Sequence, residues 1–84
     1  MKVTRVRVKK INPHGKLKAW ASVTFDDCFV VHDVRVLEDE RGIFIAMPSK
    51  KISNGEFIDI AHPINRESRD MLVKAVLEEY QRTP

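Results

Sequence analysis

The hydrophobic period of this chain changes once, at Pro63, and that change limits what it can fold into. Before Pro63, Thr4, Val6 and Val8 alternate with Arg5, Arg7 and Lys9. Leu17, Ala19, Ala21, Val23 and Phe25 then alternate with Lys18, Trp20, Ser22 and Thr24. A period of two marks strands with one face buried. After Pro63, Leu72, Val73, Val76, Leu77 and Tyr80 recur at three- and four-residue steps, which is the apolar stripe of an amphipathic helix. Several strands followed by one helix define an α+β fold: an antiparallel sheet of about five strands with one C-terminal amphipathic helix.

The punctuation agrees with the periods. Asn12-Pro13-His14-Gly15 matches a type I turn, and Asp26-Asp27 is a turn candidate. Residues 29–37 are rich in β-branched side chains and read as a third strand. Glu38-Asp39-Glu40-Arg41-Gly42 reads as a charged loop. Residues 43–47 are apolar on both faces, as in a strand covered on both sides. Pro48 lacks the N–H that a ladder needs, so pairing should stop or bulge there. Ser53-Asn54-Gly55 is a further turn signal, and residues 57–61 form the fifth expected strand. Lys50 and Lys51 are thereby expected on an exposed loop between two buried strands. Asn65 is the expected N-cap of a helix running to about Arg82, with Glu67 and Asp70 in its first turns. Asp70 and Lys74 have the spacing of an i,i+4 ion pair.

Eighty-four residues suit a single domain spanning 1–84, near the lower limit for a self-sufficient core. One helix covers one face of one sheet, yet Trp20, Val31, Phe44 and Met47 lie on strands whose other faces are also apolar. A second copy of the chain, packed sheet to sheet or exchanging helices, is the economical cover, so a homodimer is expected.

Charge is uneven. Net charge is +3, but Lys2, Arg5, Arg7, Lys9, Lys10, Lys16 and Lys18 all precede the first acid, Asp26. Seven of fifteen positive charges therefore stand uncompensated in one third of the chain. Such a block is either a solvated strand face or a surface for an anionic partner such as nucleic acid. The single cysteine, Cys28, cannot form a disulfide within the chain, which fits a reducing, cytoplasmic setting. No stretch of roughly 20 apolar residues is present, so membrane insertion is not expected.

Catalytic and metal patterns are missing. His14, His32, His62, Cys28, Asp33 and Asp59 lack the CxxC, HxxxH or HExxH spacing of metal sites. His32 and Asp33, adjacent in a strand, should point to opposite faces. Cys28 reads as a small buried side chain. His62 reads as a structural hydrogen-bonding group at the strand–helix corner. Without a glycine-rich phosphate loop or a nucleophile elbow, neither an enzyme nor a cofactor is expected.

FVVHDVRV, IFIAMPSKK and GEFIDIAHPIN, in this order and spacing, resemble the SpoVG family (stage V sporulation protein G) over essentially the whole chain. The resemblance implies a small cytosolic bacterial homodimer built from an antiparallel sheet and a C-terminal helix. It also implies a regulator of septation, cell division and sporulation that binds DNA and RNA. The basic pair after Met47-Pro48 matches Lys50 and Lys51 here, though arginine is common at the second position. Arg66 and Arg69 at the helix start form the neighbouring basic element. These four residues are the expected nucleic-acid contacts. The competing expectation is an adaptor that binds division or septation proteins and no nucleic acid. Trp20 is the one aromatic in the basic N-terminal region, which argues against a broad stacking platform. The acids of the helix make it a poor major-groove reader.

Overall fold

The alternating segments pair as their alternation demands. The structure is a computed structural model and describes residues 1–11 and 14–84. Strands β1 (Val3–Lys10), β2 (Leu17–Phe25), β3 (Phe29–Asp39) and β4 (Gly42–Ala46) form an antiparallel meander in that order. Register places Val6 opposite Val23, Val8 opposite Ala21, and Ala21 opposite Val34. One face of the sheet is therefore apolar from edge to edge. Helix α1 (Arg66–Arg82) lies on it and inserts Leu72 and Val76 among the buried Ala19, Val23, Val34 and Val36.

The turns hold this face in register. Asp26 and Asp27 both take positive φ (51° and 54°), as a primed hairpin turn requires, and Cys28 N donates to Phe25 O at 3.0 Å. The same turn fastens the edge strand: Asp26 Oδ1 accepts from Lys2 N, and Thr4 Oγ1 accepts from Asp27 N. The turn expected over Asn12-Pro13-His14-Gly15 falls partly outside the described residues. On its flanks, Ile11 N donates to Lys18 O at 3.1 Å. The charged loop expected between β3 and β4 is tighter than its sequence suggests, because pairing runs on to Asp39 opposite Gly42. Asp39 Oδ1 accepts from Arg41 N at 2.9 Å, and Gly42 supplies a φ of 119° that a side chain would strain.

The antiparallel sheet and C-terminal helix are as expected, with the strands divided between the four-stranded sheet and a separate ribbon, β5 (Ser49–Lys51) paired with β6 (Phe57–Asp59). The cause lies at Met47 and Pro48, both buried. Arg35 donates from its guanidinium to Met47 O (3.0 Å) and Ser49 Oγ (3.1 Å), and Pro48 O accepts from Ile60 N at 2.7 Å. These bonds turn the chain away from β4 and start a new ladder. The Ser53-Asn54-Gly55 turn closes it as expected: Gly55 has a φ of 87°, and Asn54 Oδ1 accepts from Glu56 N. The strands around the lysines were expected to be buried. Instead Phe57 is 68% exposed and Ile60 65%, and Ile43 and Phe44 are each more than a third exposed.

The helix follows its signals. Asn65 Oδ1 accepts from Ser68 N at 2.8 Å, the N-cap bond expected of it. Asp70 pairs with Arg66 one turn back, at 3.7 Å, in place of the expected Lys74.

Candidate nucleic-acid interface

The four basic residues singled out by sequence occupy two elements. Lys50 and Lys51 are exposed, but they lie in β5, opposite Ile58 and Phe57, rather than on a loop. Consecutive strand residues point to opposite faces, so the two ammonium groups cannot work side by side on one surface. Arg66 and Arg69 lie in the first turn of α1, both exposed, with Arg66 tied to Asp70.

A second cationic surface comes from register. On the face of the sheet away from α1, Lys9, Trp20 and Arg35 form one row across β1, β2 and β3. Arg7 and Ser22 begin the next row, where Ser22 Oγ and His32 Nδ1 are hydrogen-bonded at 2.9 Å, and Arg5 stands opposite Thr24 in the third. Alternation already predicts Arg5, Arg7 and Lys9 on one face. It does not show that Arg35 joins them, although Arg35 between the buried Val34 and Val36 carries the same signal.

Among the described residues, ion pairs form at Lys18, Arg41, Arg66 and Arg82. Arg5, Arg7, Lys9, Lys50, Lys51 and Arg69 make none. Because nearby charges are mostly unengaged, their field extends into solvent over a Debye length of about 8 Å at physiological salt.

Other expectations divide. His32 and Asp33 do not point apart. Both stand opposite Ser22 where the β2–β3 register shifts, Asp33 with a φ of 63°, and both line one depression beside Trp20. A β-bulge of this kind breaks the alternation on which the expectation rested. Cys28 is exposed in the β2–β3 turn rather than buried. His62 makes the corner bond expected of it, its Nδ1–H donating to Pro63 O at 3.0 Å. Among the described residues, no three His, Cys, Asp or Glu side chains gather to hold a metal ion. No helix among them is long and apolar enough to cross a membrane.

An antiparallel meander backed by one helix, with cations free on the opposite face and on an outlying ribbon, defines a small α+β protein with a cationic surface. The chain belongs to the SpoVG family, whose model matches residues 1–82. Its relatives include a protein of Caldicellulosiruptor bescii named "Putative septation protein SpoVG", 60% identical over 81 residues, which are 96% of this chain and 92% of the relative. A protein of the same name from Treponema denticola is 57% identical over 84 residues, covering 100% of this chain and 90% of its own length. The Clostridium perfringens relative is 56% identical over 82 residues, covering 98% and 91%.

Proposed function

We propose that this chain is a homodimeric, nucleic-acid-binding regulator linked to septation and sporulation, contacting DNA or RNA phosphates through Lys50, Lys51, Arg66 and Arg69. The septation link follows from the names of its relatives. The observation that carries the binding is the surplus of exposed cations without acidic partners on β1 and β5 and at Arg69, with Arg66 beside it paired to Asp70. Affinity then comes from phosphate neutralisation and falls with salt.

The homodimer is supported by the ribbon. Its two three-residue strands pair with each other and expose Phe57 and Ile58, with Ile60 65% and Ile64 89% exposed beyond them. A lone two-stranded ribbon is marginal in water, so a partner surface accounts for its order. Sheet-to-sheet packing through the Trp20 face fits less well, because it would set Arg5, Arg7, Lys9 and Arg35 against their own copies.

The test is a salt series. Mixed-sequence DNA and RNA should bind wild-type protein with an affinity that falls steeply as salt rises. In a dimer, Lys50→Ala with Lys51→Ala flattens the log–log slope by about 1.8 where one lysine per copy reaches phosphate and by about 3.6 where both do, at about 0.9 per contact. A protein that binds neither polymer at low salt supports the second reading, an adaptor that docks septation proteins on the exposed apolar ribbon.

A further inference from the structure

We propose that the open face of the sheet holds a single-stranded nucleic-acid subsite, in which one unpaired base stacks on Trp20 and its flanking phosphates run along Arg5, Arg7 and Lys9. This rests on the nucleic-acid reading above but adds a second surface and a strandedness.

The placement of Trp20 raises the question. Its neighbours along β2, Ala19 and Ala21, are buried under α1, while the indole is turned outward and is 39% exposed. It belongs to no part of the core. A large aromatic at the middle of an open sheet face is surface that an apolar, planar partner can cover. Antiparallel sheets backed by helices serve as base-stacking platforms for this reason.

The surroundings select the partner. Lys9 and Arg35 flank Trp20 in register, and Arg7 and Arg5 continue the line down β1. Alternate residues along a strand lie about 7 Å apart, so the three β1 cations form a rail beside the ring. A depression of about 730 Å³ wraps the β1 edge here, lined by Arg7, Lys9, Trp20 and His32 on the open face and reaching Glu79 of α1 beyond the edge. The Ser22–His32 hydrogen bond fixes the imidazole at its wall. Two acids border the depression. Glu79 is held by Arg82 at 2.9 Å, and Asp33 lies on the β3 side, away from the rail.

A planar hydrophobic ring beside a row of cations matches a base attached to a phosphate chain. A duplex satisfies the cations but hides its base faces within its own stack, whereas a single strand offers both. A second copy of this chain would bring like charges together. One ring accommodates one base, so the footprint is short, and sequence preference is weak because every base has a stacking face.

Trp20 is the sole tryptophan, so its emission reports on the site directly. Short oligothymidylate and oligouridylate, which do not self-pair, are titrated in low salt alongside a mixed-sequence duplex of equal length. Both single strands should quench the emission at saturation, and the duplex should bind with little quenching. The ratio of the two single-strand affinities assigns the subsite to DNA or RNA. Trp20→Ala should weaken single-strand binding by about 5- to 100-fold and duplex binding by less than about 2-fold. Trp20→Tyr should recover most of the loss. If Trp20→Ala unfolds, Arg7→Gln with Lys9→Gln, which keeps the reporter, should reduce both quenching and single-strand affinity. Single strands that bind without quenching and are indifferent to these changes overturn the subsite while phosphate binding elsewhere stands. Failure of every oligonucleotide to bind at low salt overturns both.

Discussion

The β2–β3 hairpin and the β6 strand of the ribbon carry similar apolar residues, Val and Phe against Phe and Ile, and those residues end in opposite environments. Val23, Val34 and Val36 of the first are completely buried, whereas Phe57 of the second is 68% exposed and Ile60, just beyond it, 65%. Propensity does not separate them. What differs is the opposing surface: α1 packs against β1, β2 and β4, whereas among the described residues β6 has its main contacts only with β5. Burying a large apolar side chain contributes about 1.5–3 kcal/mol. The sheet collects that contribution within one chain, and the ribbon can collect it only against a second. On the homodimer proposed above, intrachain and intermolecular packing fall to different hairpins of the same small fold.

The sharpest way to break this division is to remove the cover from the sheet. Leu72 is the helix's buried plug, 3% exposed, and Leu72→Ala should destabilise the protein by about 2–5 kcal/mol in urea unfolding. Protein concentration must be held fixed, since any self-association would add to apparent stability. A cost under about 1 kcal/mol would mean that α1 is not what closes the sheet.

Next comes the ribbon. Phe57→Ser with Ile60→Ser should leave the far-ultraviolet dichroism of the sheet and helix in place while weakening self-association by about 100-fold or more, for a loss near 3 kcal/mol. Sedimentation across a concentration series measures this. A variant that stays dimeric at low micromolar concentration would remove the ribbon from the interface.

The same division explains what was legible in the sequence. The first three strands and the helix declared themselves because their partners lie in the chain: alternation in β1 and β2 matches the face that α1 covers, and Asn65 caps where its side chain predicts. Residues 43–47 and 57–61 were read as buried because apolar strands usually are, but sequence does not say whether the cover is in cis. β5 was read as a loop because Ser49, Lys50 and Lys51 carry no apolar pattern; backbone bonds around Pro48, with Arg35 holding Met47 O and Ser49 Oγ, create it. The depression beside Trp20 was invisible for a similar reason. It depends on a bulge at Asp33 and on a cross-strand register that joins Arg35 to residues fifteen or more positions away.

Between sheet and ribbon lies the corner that carries the chain into α1. Asn65→Ala removes the bond to Ser68 N and should cost about 1 kcal/mol in thermal or urea unfolding. Nucleic-acid affinity per folded molecule should be unchanged. A large affinity loss with an unaltered melting temperature would instead place the corner in the binding surface, joining the ribbon to the helix start.

The smallest effect on stability is expected at the two lysines, and there the comparison can be made within a single strand. Lys50 and Lys51 are exposed and without ion pairs, so Lys50→Ala and Lys51→Ala should each change stability by less than about 0.5 kcal/mol. Their consequences for binding should nevertheless differ. Consecutive residues of β5 project from opposite faces of the ribbon, and one of those faces is needed to seat the apolar Phe57 and Ile60 against a partner. The lysine on the seated face is screened from a polyanion, whereas the other remains available in both copies of a dimer. One single variant should therefore flatten the log–log salt slope by about 1.8, two contacts at about 0.9 each, and the other should leave it nearly intact. Equal losses from both would show that nucleic acid meets the two faces alike. The ribbon would then be a free cationic finger, and the division between a surface for self and a surface for phosphate would fail.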